Sequence, residues 1–470
     1  MIAERIVVVG NGMAATRLVE ELVARGAGHH ITVLGDEDHA PYNRILLSAV
    51  LEGTHRADAL TLREPGWHAD NGIDLRLGTR VLGIDRERRE VTLVDGSCLA
   101  YDRLVLATGS VPTLPPIRGL VRRDGRLHEA VHAFRSLDDC RRLLAALTAD
   151  PAPQRAVIVG GGLLGLQVAR ALAVRGLGTE IVEGGEHVLR SQLGAPAGRV
   201  LQRALARLGT TVYTGARAVR LEGDEQPALR LDNGYTLDAD LVVLTAGGRP
   251  STALARAAGL PVRRGVVIGG RLESVDDQRV HAIGDCAEHD GRTTGFVPPA
   301  WEQAGVLAAH LSGGDVTYRG SRSVARLRAT GLDVAVLGDP ERTDGEVVEV
   351  TNPVLGTHRK LVVRDSRIVA GTLVGDLSRI GLITQYYDRG TPLAAHEPGA
   401  LLIGEKQAPP TRLPDHAEIC ACAGVSAGAI RACDSLDQVR DTTRATTGCG
   451  GCAASVRELL AARPARTGTP

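Results

Sequence analysis

Two copies of one pattern constrain this chain more than any other feature. Each is a short apolar run, a glycine-rich turn and a helix-period stretch. The first reads RIVVVGNGMAATRLVEELVARG and sets Gly10, Gly12 and Ala15 at G-x-G-x-x-A spacing. The second reads RAVIVGGGLLGLQVARALAVRGLGTEIVEGG and sets Gly160, Gly162 and Gly165 at the same spacing, 150 positions later. The first glycine permits a tight turn, the second lets backbone N–H groups approach a pyrophosphate, and the third, small residue lets helix and strand pack closely. The phosphate then lies at a helix N-terminus, where unpaired N–H groups and the helix dipole favour anions. One such turn can be merely structural. Two, each between a strand and a helix, predict an α/β chain with two dinucleotide sites.

A chain of 470 residues has room for roughly three domains, and for large cores without cross-links. Its 55 basic and 55 acidic side chains cancel, and aromatics make up only 2%, so neither a nucleic acid nor an anionic membrane is expected as partner. No apolar run reaches the ~20 residues of a membrane-spanning helix. Glu4 and Arg5 stand where a signal peptide needs its apolar stretch. The chain is therefore expected in the cytoplasm, where structural disulfides are rare.

Between the two units, VLGIDRERREVTLVDGSCLAYDRLVLATGSVP predicts a hairpin and then a buried strand from Arg103 to Ala107. LRLDNGYTLDADLVVLTAGGRP repeats that design, with Asn233-Gly234 suited to a two-residue turn because both tolerate φ > 0. The segment 315–400 mixes strands and helices. GEKQAPPTRLPDH at 404–416 is polar and proline-rich, and reads as a linker. Beyond it come Cys420-x-Cys422 and, after 26 residues, Cys449-x-x-Cys452. Four thiolates can hold zinc or a [2Fe–2S] cluster. Common zinc ribbons use two C-x-x-C knuckles, and the C-x-C end departs from that. Ser426 and Ser435 are the expected N-caps of two short helices. Cys449 and Cys452 precede AASVRELLAA, a helix candidate whose N-terminal N–H groups favour thiolates. Cys433 fits neither pair. Cys98, Cys140 and Cys286 lack redox-pair spacing, and packed thiols are the plain reading.

The Gly10 turn, ATG at 107–109 and IGDCAE at 283–288 fall in an order that resembles the flavoprotein reductases of the pyridine nucleotide-disulfide oxidoreductase fold. The resemblance covers residues 1 to about 310. It implies FAD on the first unit and NAD(P)H on the second, which is inserted into the FAD domain. By the same resemblance, Gly10, Gly12 and Ala15 face the FAD pyrophosphate, Thr108 and Gly109 belong to the FAD site, Arg44 contacts FAD, and Asp285 bonds its ribityl or phosphate region. The acid for the FAD ribose is split. Gly35 fills the usual strand-end slot, and Asp36 and Glu37 follow it. On the NAD side the set is Gly160, Gly162, Gly165, Glu183 and Gly247. An acid at Glu183 binds ribose hydroxyls and repels a 2′-phosphate, which favours NADH over NADPH, although Arg190 lies seven residues on. Pro298, Trp301, Glu302 and Gln303 are implied near the flavin ring, yet WEQAGVLAAHL serves equally well as a helix that simply packs. The stretch YNRILLSAVLEG lacks the redox cysteine pair of disulfide-type members.

The tail resembles bacterioferritin-associated ferredoxin-like [2Fe–2S] domains, through CAC, GVSAGAI and TTGCGGC. That resemblance makes Cys420, Cys422, Cys449 and Cys452 the cluster ligands. The spans 280–313, YRGSRSVARLRATGLDVAVLGD and GTLVGDLSRIGLITQYYDRG are similar to the NAD(P)H-dependent nitrite reductase large subunit family, in which sirohaem-binding domains follow. This chain ends at Pro470 without them. The expected architecture is two Rossmann-like three-layer domains, a small α/β domain and a small helical [2Fe–2S] domain. Expected boundaries are 1–115 with 246–314 for FAD, 116–245 for NAD(P)H, 315–403 for the small domain, 404–416 for the linker and 417–470 for the cluster. The implied activity is electron transfer from NADH through FAD and the cluster to a separate nitrate or nitrite reductase catalytic subunit. The alternatives are a ferredoxin-type reductase serving another acceptor, and a non-enzymatic flavin sensor with a zinc-stabilised tail.

Overall fold

The computed structural model describes residues 3–224, 226–403, 413–420, 423–448 and 451–461. Cys422, Cys449 and most of the expected linker lie outside the described residues.

The strand Arg5–Val9 runs parallel between His30–Leu34 and Arg103–Leu106 within a nine-stranded sheet. Its apolar run is nearly continuous because a central parallel strand is covered on both faces. Ile6, Val7 and Val8 are accordingly buried. Helix Met13–Ala24 packs against helix Val297–Leu311. Leu18 and Leu22 from the first and Leu307 from the second share one core with Leu104 and Leu106. Burying each such leucine contributes about 2 kcal/mol.

The second unit repeats the first. Arg155–Val159 runs parallel between Gly178–Glu183 and Leu241–Leu244, and Thr210–Thr214 and Val131–Ala133 complete a five-stranded sheet. Register repeats too, with Val9 opposite Leu34 and Val159 opposite Val182. Gly35 and Glu183 therefore occupy matching positions one residue further on. Even the strand entries match. Asp102 accepts the Arg5 N–H at 2.8 Å, and Asp240 accepts the Arg155 N–H at 2.9 Å. An antiparallel ribbon, Ser110–Pro112 on Gly248–Pro250, carries the chain from one sheet to the other and back.

Two local expectations change. The first hairpin gains a third strand, giving Val81–Asp85, Glu90–Leu93 and Cys98–Ala100 ahead of the buried Arg103–Leu106. The Asn233-Gly234 turn is not a two-residue loop. The pairing of Arg230 with Thr236 brings Leu231 opposite Tyr235, so three residues remain between them. Gly234 alone takes a positive φ, +91°, as such loops require.

Residues 324–374 form a five-stranded antiparallel sheet, followed by helices Ile380–Arg389 and Glu397–Ile403. In the tail, Glu418–Cys420 pairs with Val425–Ser426 ahead of helices Ala427–Arg431, Leu436–Thr443 and Ala453–Ala461. Ser426 and Ser435 cap the first two, accepting N–H groups at 3.3 and 3.1 Å. Among the described residues no helix is long and apolar enough to cross a membrane.

Candidate functional site

A cavity of about 2390 Å³ opens beside the first glycine turn. Pockets for single drug-sized ligands span about 300–1,000 Å³, so this one has room for more than one such group. Its floor is the first glycine turn. Gly10 has φ +111°, and a Cβ there would overlap the Ala107 carbonyl. Gly12 is the N-cap of helix Met13–Ala24 and has no side-chain cap. A Cβ on Gly12 would meet nothing within 4 Å, so backbone and open space form a cradle suited to a pyrophosphate. Ala15 is buried under this turn and does not line the cavity.

At the strand-end side the two acids differ. Asp36 is exposed and paired with Arg80 at 2.8 Å. Glu37 is half-buried, accepts the Tyr42 hydroxyl at 2.7 Å and is paired with Arg44. Burial raises the Tyr42 pKa, so the hydroxyl stays a donor. Both acids and Arg44 line the cavity. Thr108, Gly109 and Asp285 line it as well. Asp285 accepts hydrogen bonds from Ser110 Oγ and Arg135 Nη2, each at 2.8 Å. Sequence reasoning missed both partners. Ser110 adjoins the ATG signature, whereas Arg135 carries no local signal.

Of the four residues expected near the flavin ring, Pro298, Trp301 and Glu302 line the cavity and Gln303 does not. Trp301 Nε1 donates to the Met13 carbonyl at 3.2 Å, which holds the indole against the cradle. Gln303 is buried and accepts the Gly284 N–H at 2.7 Å, fixing the turn that presents Asp285.

The second glycine turn is built alike. Gly160 has φ +116°, and a Cβ there would lie 2.6 Å from the Thr245 carbonyl. Gly162 caps helix Leu163–Val174 without a side-chain bond. Glu183 accepts the N–H groups of Gly161 at 2.8 Å and Gly185 at 2.7 Å. Gly165 packs against the turn itself, and Gly247, at φ +95°, accepts the Thr113 N–H at 2.9 Å. None of Gly160, Gly162, Gly165, Glu183 and Gly247 lines the large cavity, but Leu163, Leu164 and Gln167 of the helix between them do.

Cys420 and Cys452 reach the same cavity from the tail. Cys452 sits at the start of helix Ala453–Ala461, and its sulfur accepts the Thr446 N–H at 3.2 Å. N–H donation and a helix N-terminus both favour a thiolate ligand. Cys433 instead packs away, with its thiol on the Ala429 carbonyl at 3.4 Å. Cys140 and Cys286 are buried. Burial pushes the Cys140 thiol up to about 11 and raises that of Cys286 too, so both are inert.

Residues 4–304 match the family described as pyridine nucleotide-disulphide oxidoreductase, and residues 418–462 match the BFD-like [2Fe-2S] binding domain. The nitrite reductase [NAD(P)H] of Bacillus subtilis (strain 168) is 34% identical over 97% of this chain and 57% of its own length. The assimilatory nitrate reductase electron transfer subunit of the same organism is 32% identical over 97% of this chain and 59% of its own length. The chain thus spans less than two thirds of either relative. Among solved structures, the covalent putidaredoxin reductase–putidaredoxin complex superposes with a TM-score of 0.77 and 28% identity, over 86% of this chain and 97% of that one. The two families imply FAD, a nicotinamide dinucleotide and a [2Fe–2S] cluster, which sets aside the zinc alternative for the tail. With its paired glycine cradles, the chain is an oxidoreductase that belongs to the pyridine nucleotide-disulphide oxidoreductase family.

Proposed function

We propose that this chain takes electrons from NADH through FAD to its [2Fe–2S] cluster and delivers them to a separate assimilatory nitrate or nitrite reductase catalytic subunit. One observation carries this reading: the Gly10 cradle and the tail cysteines Cys420 and Cys452 open into the same cavity. When bound, FAD accepts a hydride from the nicotinamide and gives up electrons singly, which the cluster passes on.

The chain's own residues divide the work. Gly10 and Gly12 hold the FAD pyrophosphate on the first helix N-terminus. Glu37, braced by Tyr42 and Arg44, is the better placed of the two ribose acids, because Asp36 is exposed and engaged by Arg80. Asp285, oriented by Ser110 and Arg135, faces the ribityl chain. Trp301 and Pro298 wall the ring and exclude water. Gly160 and Gly162 hold the dinucleotide of NADH, and Glu183 takes its ribose hydroxyls. Cys420, Cys422, Cys449 and Cys452 ligate the cluster. The assignment of 1–115 with 246–314 to FAD, 116–245 to NADH and 417–470 to the cluster follows this division.

The acceptor reading draws on the two Bacillus relatives and their names. Anaerobic stopped-flow mixing with NADH is expected to bleach the flavin and then the cluster. Adding a nitrate or nitrite reductase catalytic subunit is expected to reoxidise both. A cluster that stays oxidised while flavin is reduced sinks the proposal. Reoxidation by a ferredoxin and not by either reductase moves the chain to the ferredoxin-type reading, which the putidaredoxin reductase likeness favours.

A further inference from the structure

The cluster unit is seated on the first nucleotide unit by buried polar contacts. Arg444 ends helix Leu436–Thr443 in the left-handed conformation, φ +63°, and Thr446 follows at φ +72°. Such backbone costs about 1–3 kcal/mol at a non-glycine residue and persists only where surrounding contacts hold it. Arg444 Nη2 lies 3.0 Å from Glu20 Oε1, and Nη1 donates to the Leu62 carbonyl at 3.2 Å. Arg63 Nε joins the same Glu20 oxygen at 2.7 Å. The Arg444, Glu20 and Arg63 side chains are only 9%, 8% and 16% exposed. On the other side of the loop, buried Asn43 donates to the carbonyls of Thr447 at 2.7 Å and Gly448 at 2.6 Å. The loop 444–448 thus held also provides the N–H that bonds the Cys452 sulfur.

A buried ion pair is a poor device for stability, because desolvation offsets most of its attraction and apolar residues of equal volume do as well. What it does well is fix one arrangement. Glu20 sits about two turns along the helix whose N-terminus forms the Gly12 cradle. We propose that Glu20 and Arg444 form a positioning clamp that locks the [2Fe–2S] unit, through its 444–448 loop, to the helix cradling FAD, with Cys420 and Cys452 turned to the shared cavity. The clamp rests on the electron path proposed above. Two successive one-electron transfers oxidise the reduced flavin fully, its proton leaves to water, and each electron passes from the cluster to the external acceptor.

The test compares Glu20→Gln, Arg444→Met and Arg444→Lys in the full holoprotein. In Glu20→Gln and Arg444→Met, flavin reduction by NADH is expected at the wild-type rate, while flavin-to-cluster transfer slows roughly tenfold or more through misplacement. Arg444→Lys keeps the charge and is expected to restore much of the rate. Without cofactors, amide exchange at 62–64 and 445–447 is expected to quicken in both disruptive variants. Wild-type transfer rates in both, or equal slowing of the hydride step, overturn the clamp. A wild-type chain whose cluster stays oxidised overturns the electron path instead. The clamp then stands or falls on exchange, and unchanged exchange in both variants overturns it.

Discussion

The two glycine turns are near copies in backbone and unlike in what surrounds them. Gly10 and Gly160 share a positive φ, and a Cβ at either would overlap the carbonyl just past a neighbouring strand. Their third positions differ, with Ala15 in the first unit and Gly165 in the second. At Gly165 a Cβ would overlap the Gly160 carbonyl and come within 2.8 Å of Thr245 Oγ1, a hydroxyl that already bonds that turn. The strand-end position is Gly35 in one and Glu183 in the other. The first unit instead has acids at the next two residues, where Glu37 is held by Tyr42 and Arg44. The second has its acid preset by two backbone N–H groups. The same backbone turn thus stands beside differently placed acids, and on the assignment proposed above that difference decides how each ribose is met.

The largest effect that could break this comparison is at the first glycines. Gly10→Ala is expected to cost about 3 kcal/mol or more and to yield protein without flavin, read by visible absorbance and thermal unfolding. Gly160→Ala is expected to keep the flavin and lose its reduction by NADH. Loss of flavin in both variants would show that the units do not act separately. Next in size, Gly165→Ala is expected to destabilise by about 1–3 kcal/mol through overpacking. Ala15→Gly in the other unit is expected to cost only about 1 kcal/mol of helix propensity. Equal denaturant midpoints for those two would remove the difference in packing.

Glu183→Gln loses the charge and turns one of the two acceptor oxygens into a donor amide. The KM for NADH is expected to rise about tenfold with kcat for flavin reduction unchanged, and discrimination against NADPH to narrow. Steady-state kinetics with both coenzymes read this directly. The smallest expected effect concerns the strand entries. Hydrogen bonds from the Arg5 side chain and N–H hold the Asp102 carboxyl down to about 2. A depressed acid contributes stability above its unfolded pKa of about 4, and loses it as pH falls through the folded value. Asp102→Asn is thus expected to be less stable than wild type at pH 7, by about 1 kcal/mol or less given that Asp102 is partly exposed, and equal to it only about a unit below the folded pKa. A gap that persists there assigns the effect to packing.

Much of this site was legible because its parts are local. Gly10, Gly12 and the helix after them fall within one turn of chain, and so do Gly160 and Gly162. Ser426 and Ser435 cap their helices as expected, since a cap needs only a side-chain oxygen and an N–H three residues on. The Asn233-Gly234 turn was local and still misread, because strand register set its loop length. Gln303 was drawn into the flavin wall by its neighbours, but helix periodicity turns it inward to Gly284 while Trp301 and Glu302 face the cavity. The proposed choice of Glu37 over Asp36 was equally closed to sequence. It turns on Arg80, 44 positions away, engaging one of them and on Tyr42 bracing the other.

The amino-acid sequence alone determined the two nucleotide turns, the order of the units and the cysteine pairs of the tail, because each follows from backbone geometry or donor chemistry within a few residues. Tertiary structure alone decided that the tail sits on the first unit. Asn43 meets Gly448 across 405 positions, and Arg444 meets Leu62 across 382. No periodicity or motif encodes such contacts. They exist only once separate helices and sheets have packed, and burial makes their polar groups find one another.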